Sequence, residues 1–191
     1  MTRYSLDDLL VVVNTRHGPG GHHGARVTRD GPDHDHLRDP NDARAFLASH
    51  DVEVPASLPT PGELRRLREL REAVRVRVEA SLEVQSPPDA GRAGYAVDAR
   101  GRLAARSGGW RAVIDDLRLP LIEIARQGAG RDGLKICGNR LCRWAFADRS
   151  RNSSRRWCDM AACGNRAKVA RHRLTSRDGS PASRAPASRS G

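Results

Sequence analysis

Apolar residues recur along this chain at two spacings, and each spacing marks an element. From Tyr4 to Thr15 the positions Leu6, Leu9, Leu10 and Val13 fall on one face of a helix. Ser5 can cap that helix, with Asp8 at its third position. The β-branched run Val11-Val12-Val13 leaves a strand open for the second half. Asp39-Pro40 opens a shorter helix, with Pro at the first helical position and Ala43, Phe46 and Leu47 as its buried face. Thr60-Pro61-Gly62-Glu63 reads as a capping box, and Leu64, Leu67, Leu70, Val74, Val78 and Leu82 follow at spacings of three and four. Glu and Arg occupy the opposite face, where Glu63 can pair with Arg66, and that face is read as solvated.

Beyond Ser86-Pro87-Pro88-Asp89 the period shortens. Tyr95 and Val97, an Arg100-Gly101 turn and Leu103 predict a small hairpin ending near Arg106. Helical spacing returns from Trp110 to Gln127, where Pro120 must kink the helix or split it. Gly128 and Gly130 begin a linker. Residues 16–38 are rich in Gly, Asp and His, including His17, His22, His23, His34 and His36. A second metal site is one reading of them; a solvated or disordered loop is favoured, since no rigid element is predicted there. From Thr175 to Gly191 the chain is Ser, Pro, Ala and Arg, too poor in apolar residues to fold.

Charge adds a partner class. With 34 Lys or Arg against 23 Asp or Glu, the net charge is +11. Such a chain is drawn to polyanions before any specific contact forms. No apolar run approaches a membrane span and the N-terminus lacks the pattern of a signal peptide. The expected location is cytoplasmic, with no membrane partner.

All four cysteines lie between 137 and 163. In a reducing compartment this pattern argues for metal over disulfides. Cys137 with Cys142, and Cys158 with Cys163, form two C-x4-C pairs separated by fifteen residues. Four thiolates suit one tetrahedral Zn2+ and leave no open position, so the site is structural rather than catalytic; an iron–sulfur cluster is the competing reading, but the dense ligand runs of ferredoxins are absent. A strand from Arg143 to Ala147, a polar turn, a return strand ending at Trp157 and a helix from Asn165 to Arg173 would complete a treble-clef module. Trp144, Phe146 and Trp157 are expected to pack around the metal. So small a segment should owe most of its folding free energy to zinc.

From Cys137 to Arg173 there are ten Arg or Lys and two Asp, so with a zinc tetrathiolate's −2 the module nets +6. Arg149, Arg151, Arg155 and Arg156 in the turn, with Arg166, Lys168, Arg171 and Arg173 on the helix, form a candidate nucleic-acid surface. A solvated charged face that binds nothing specific is the alternative.

These residues resemble a known family. Asp148 to Lys168, with Arg156-Trp157-Cys158 and the tetrapeptide Cys163-Gly164-Asn165-Arg166, closely resembles the CGNR zinc finger. Cys137-Gly138-Asn139-Arg140 repeats the tetrapeptide and is read as coincidence. Val13-Asn14-Thr15, Leu37 to His50 and Leu67 to Glu72 resemble an ABATE domain, which usually precedes such fingers in stress-induced transcription regulators. The patterning divides the chain into a mainly helical domain over 1–130, a zinc module over 131–173 and a tail over 174–191, and the resemblance implies an α+β fold for the first and a treble clef for the second. It also implies binding of double-stranded DNA by the finger and of a small-molecule effector by the front domain. Asn14 and Thr15 are the candidate pocket residues, although Asn14 would equally serve as a helix C-cap. A single finger needs a second copy for good specificity, so a homodimer is expected. An RNA-binding accessory protein and a protein-interaction module are the alternatives. No catalytic residue is expected: His172 is the one His between 137 and 173, and no nucleophile–base pair or phosphate loop stands elsewhere.

Overall fold

In the computed structural model the described residues are 2–18, 34–79, 94–122 and 133–178. They combine helices with three two-stranded antiparallel sheets. Helix α1 (Leu6–Val13) begins at Ser5, whose side chain and that of Asp8 cap each other's backbone N–H groups reciprocally. The helix runs through Val11-Val12-Val13, so burial of Val12 and Val13 overrides their preference for strand.

The chain then enters β1 (Arg16–His17), which pairs with β2 (His34–Asp35), Arg16 opposite Asp35 and His17 opposite His34. The expectation of a loop throughout 16–38 is thus corrected at both ends; residues 19–33, with His22 and His23, lie outside the described set. A 3-10 turn (His36–Arg38) buries Leu37 and leads into α2 (Pro40–Ser49), capped by Asp39 as anticipated.

Helix α3 (Pro61–Glu79) starts at the predicted box, but Glu63 is spent on Thr60, accepting from its N–H and hydroxyl, rather than on Arg66. Leu64, Leu67, Leu70 and Val74 are buried as the spacing requires; Leu82 lies outside the described residues. The charged face departs from expectation, because Arg71 and Arg75 are buried, at 3% and 4% exposure. The hairpin forms from β3 (Tyr95–Val97) and β4 (Leu103–Ala105), with Gly101 at φ 73° in its turn. Helix α4 (Gly109–Asp116) ends before Pro120, and a new helical turn spans 119–122, so proline splits the segment.

Strand β5 (Leu134–Ile136) pairs with β6 (Ala145–Ala147), Lys135 opposite Phe146. The partner of the 145–147 strand is therefore the segment before the first cysteine pair. No return strand is described between Asp148 and Trp157, a correction that follows from side-chain and loop hydrogen bonds taking over that stretch. A π-helical turn (Met160–Gly164) carries Cys163 into α5 (Asn165–Asp178), which extends five residues into the predicted tail. Residues 179–191 lie outside the described set.

The core shows how the two halves of the chain relate. Leu9, Val13, Leu47, Leu67, Val74, Trp110 and Ile114 pack together, and Ala145, Leu134, Ile136 and Ala147 join the same cluster. The metal module's hairpin is therefore built onto α1 and α3, not hung from a linker. Its aromatics divide: Phe146 is buried beside the cysteines, while Trp144 and Trp157 are only half-buried.

Candidate metal centre and basic surface

Each cysteine pair is shaped by backbone geometry. At the first knuckle the Cys137 N–H donates to Trp144 O at 2.8 Å, and Cys142 and Arg143 N–H groups donate to Asn139 O at 2.9 and 3.1 Å. Arg143 takes φ 54° to leave the knuckle. At the second pair, Asp159 caps the π-helical turn by accepting from Ala162 N at 2.9 Å. The loops meet through Gly138 N, which donates to Arg156 O at 2.9 Å.

All four sulfurs are buried and lie within 4.8 Å of one another. Cys142 and Cys158 Sγ are 3.7 Å apart, Cys158 and Cys163 Sγ 3.8 Å. A tetrahedron with about 2.3 Å Zn–S bonds has edges of about 3.8 Å. The donor set therefore fits one structural zinc ion held by Cys137, Cys142, Cys158 and Cys163. Hydrogen bonds among the buried thiols raise Cys142 and Cys158 and lower Cys137, so the cluster without metal shares protons among its sulfurs. Zinc binding must displace those protons.

Asn139, in the first Cys-Gly-Asn-Arg copy, donates from Nδ2 to Cys163 Sγ at 3.6 Å and accepts from Leu141 N at 3.1 Å. The Asn of that copy thus links one knuckle to a ligand of the other. In the name-giving copy, Asn165 is exposed and donates to Ala161 O at 3.0 Å.

Asp148, which composition alone did not single out, organises the turn. Its carboxylate accepts from Lys135 Nζ at 2.6 Å, Ser150 N at 3.0 Å, Ser150 Oγ at 2.6 Å and Arg155 N at 2.8 Å. Lys135 and then Ser150 hold the Asp148 carboxyl well below the usual carboxylate range. Gly133 approaches so closely, with φ 49°, that a Cβ there would strike the Asp148 backbone. The Asp-x-Ser order at 148–150 was the available signal, as an Asx-turn pattern.

Of the predicted cations, Arg149, Arg151, Arg155, Arg156, Lys168, Arg171 and Arg173 are exposed and Arg166 is half-buried. Some have structural work as well. Arg155 donates to Cys158 O at 2.6 Å and lies 5.2 Å from the Phe146 ring centre. Arg156 stands 5.8 Å over Trp157. Arg149 pairs with Asp7 at 2.9 Å across an exposed surface. Between the first knuckle and α5 runs a groove of about 740 Å³, lined by Leu141, Trp157 and Val169 together with Arg140, Arg166 and Arg173.

The structure places Asn14 and Thr15 at the seam between α1 and the finger hairpin. Asn14 caps α1, and its side chain donates to Ala145 O at 2.9 Å and accepts from Ala145 N at 2.7 Å, continuing the edge of β6. The Thr15 hydroxyl donates to Val12 O at 2.7 Å and accepts from Arg71 Nη1 at 3.3 Å. Arg71 also grips Asp35 at 2.5 and 3.1 Å. Arg75 donates to Val13 O at 3.2 Å, to Arg16 O, and to Arg143 O at 3.2 Å. These arginines escaped the sequence reading. Their signal was position, one and two turns after Leu67 at the border of the apolar stripe.

Residues 134–174 match the CGNR zinc finger, and residues 9–132 match the ABATE family, described as "Putative stress-induced transcription regulator". No curated protein matches the chain. Among the described residues no helix is long and apolar enough to cross a membrane. With the larger part of its length under one family and a four-cysteine finger following in order, the chain belongs to the ABATE family and carries a CGNR zinc finger able to hold one zinc ion.

Proposed function

We propose that this chain is a DNA-binding transcription regulator whose finger, a treble-clef variant, grips duplex DNA while zinc serves as scaffold. The observation that carries the reading is the exposed cationic surface wrapped around a buried thiol cluster: Arg151 and Arg156 on the loop, Lys168, Arg171 and Arg173 on α5. Such a surface neutralises phosphates, and Arg side chains beyond those needed for backbone contacts can reach base edges. Four thiolates close the coordination sphere, so this zinc has no position for substrate and serves as scaffold. The front domain takes an effector or a second copy of the chain, and dimerisation would supply the specificity that one finger lacks.

Selection of bound fragments from a genomic DNA library, followed by salt titration of the best binder, tests this directly. A few enriched sites, lost in Cys158→Ser, support a zinc-dependent sequence-specific regulator. Uniform weak binding with a steep salt slope, unchanged in Cys158→Ser, means charge alone drives association and defeats the reading. Preference for single-stranded RNA over the same DNA sequences would point instead to Trp157 as a stacking platform.

A further inference from the structure

Three histidines that sequence alone leaves in a loop are brought together beside the finger. His17 and His34 face each other across the β1–β2 pair, and His36 follows in the next turn. Their ring centres are 5.3 Å (17 to 34), 5.4 Å (17 to 36) and 6.4 Å (34 to 36) apart. His17 and His36 are half-buried; His34 is exposed.

The hydrogen bonds fix which ring nitrogens carry protons. His17 Nδ1 lies 3.0 Å from Gly18 O, and His36 Nδ1 lies 2.9 Å from the Asp42 carboxylate. A carbonyl and a carboxylate can only accept, so each Nδ1 is the donor and each Nε2 of a neutral ring presents a lone pair. Those two Nε2 atoms point at each other across 3.3 Å. Two lone pairs so placed repel unless a positive centre lies within reach of both. Zn–N bonds of about 2.0–2.1 Å at a tetrahedral angle separate two nitrogens by about 3.3 Å. Ligand histidines also donate their other ring N–H to a carbonyl or carboxylate, which fixes tautomer and orientation. Gly18 and Asp42 fill those roles here. The nearby Arg75 guanidinium is engaged by the carbonyls of Val13, Arg16 and Arg143.

We propose that His17 and His36, joined by His34 through rotation of its exposed side chain, bind a second divalent transition-metal ion such as Zn2+ or Co2+ at the seam between the helical domain and the finger. Imidazole donors suit this class of ion, and water would complete the coordination. The site is distinct from the four thiolates and independent of whether the finger binds DNA. Its location gives it a structural effect. Gly18 N donates to Cys142 O at 2.9 Å, and the His17 ring lies 5.9 Å from that of Trp144, so a metal here braces the knuckle against β1.

The test uses the full chain without an affinity tag, purified with one equivalent of zinc and titrated with Co2+. The expected result is one further equivalent bound, with d–d absorption but no thiolate charge-transfer band, and a raised melting midpoint. His17→Ala and His36→Ala should each abolish that equivalent while retaining zinc, which serves as the control for folding. Asp42→Asn should weaken it by about 10- to 100-fold. Saturation at the single zinc, as expected if the two rings only share a proton, overturns the proposal. So does a second equivalent unchanged in both histidine variants, or one that displays thiolate charge transfer.

Discussion

Within the cysteine cluster the two ligands of each pair are five positions apart, and the metal supplies the cohesion. At the seam, Asn14 reaches across 131 residues to Ala145, and Arg75 reaches 62 residues to Val13 and 68 to Arg143. The cluster thus ties neighbouring pieces of chain, while the seam ties distant ones with uncharged carbonyls as acceptors for buried charge. The difference shows that the finger has two supports. Its second cysteine pair packs in the thiol cluster and is expected to depend on zinc, whereas β5 and β6 contribute Leu134, Ile136, Ala145 and Ala147 to the main core.

Removing the metal separates these supports and should give the largest effect. Structural zinc contributes about 10 kcal/mol or more of apparent binding free energy in isolated fingers. In Cys158→Ser, or with a strong chelator, amide protection should collapse through residues 158–170. It should persist at 134–136 and 145–147, because Ala145, Ile136 and Leu134 remain packed on α1 and α3. Hydrogen exchange read residue by residue checks this, and loss of protection in both segments would make zinc the sole support.

The sequence showed the first support and hid the second, for a physical reason. Cysteine spacing, the capping boxes at Ser5 and Thr60, and the apolar stripe of α3 are local patterns, each readable within a few turns. Asn14, Arg71 and Arg75 acquire their roles only when α1, α3 and the finger are brought together. A buried Arg looks like any other Arg in a chain with 34 cationic residues. The histidines were visible as a cluster but read chiefly as a loop, since the β1–β2 pairing that assembles His17 and His34 joins positions seventeen residues apart with no local periodicity to announce it.

Attacking the seam instead of the metal should come next in size. Arg75→Met keeps length and removes the donors, leaving the carbonyls of Val13, Arg16 and Arg143 without this partner. A loss of about 3 kcal/mol is expected from stranding the buried Val13 carbonyl together with the part-buried carbonyls of Arg16 and Arg143. Zinc stoichiometry should stay at one. Equilibrium urea unfolding with metal analysis checks both, and zinc loss would show that the seam also positions the ligands.

Asn14→Ala strands one buried N–H and one buried C=O of Ala145 and should cost about 1–3 kcal/mol. The effect is smaller because fewer groups lose partners and none is charged. Placed in a double cycle with Arg75→Met, it should couple non-additively, since both pin the finger's hairpin to α1. Strict additivity would mean that the two contacts hold separate units.

Acid offers a further distinction. Asp148 has a depressed pKa in the folded protein, with Lys135 as first cause and Ser150 next. Its contribution is therefore full above the unfolded value of about 3.9 and is lost as pH falls through the depressed folded value. In chelator, so that zinc release does not contribute, wild-type melting midpoints should fall below about pH 4 more steeply than those of Asp148→Asn. The variant should melt lower at neutral pH. Equal slopes would show that the turn is not formed without metal, and would weaken the claim that the hairpin stands on the core alone.

The smallest effect belongs to the exposed contact between Arg149 and Asp7, which joins the finger to α1 at 2.9 Å with both side chains more than half exposed, at 67% and 63%. A solvated pair of this kind contributes about 0.2–1 kcal/mol, because water screens the charges and two flexible side chains lose freedom. Arg149→Ala should therefore leave stability and zinc content nearly unchanged. If the finger binds DNA through its loop, the same substitution should lower the salt dependence of binding by about one unit of log–log slope. Asp7→Asn, which removes the competing carboxylate, should strengthen binding slightly without altering the fold. A cation whose removal costs little stability but lowers the salt slope acts on the partner; one whose removal unfolds the seam acts on the protein. Measuring Arg149→Ala beside Arg75→Met in the same two assays separates those roles, and identical behaviour of the pair would erase the distinction between surface and seam.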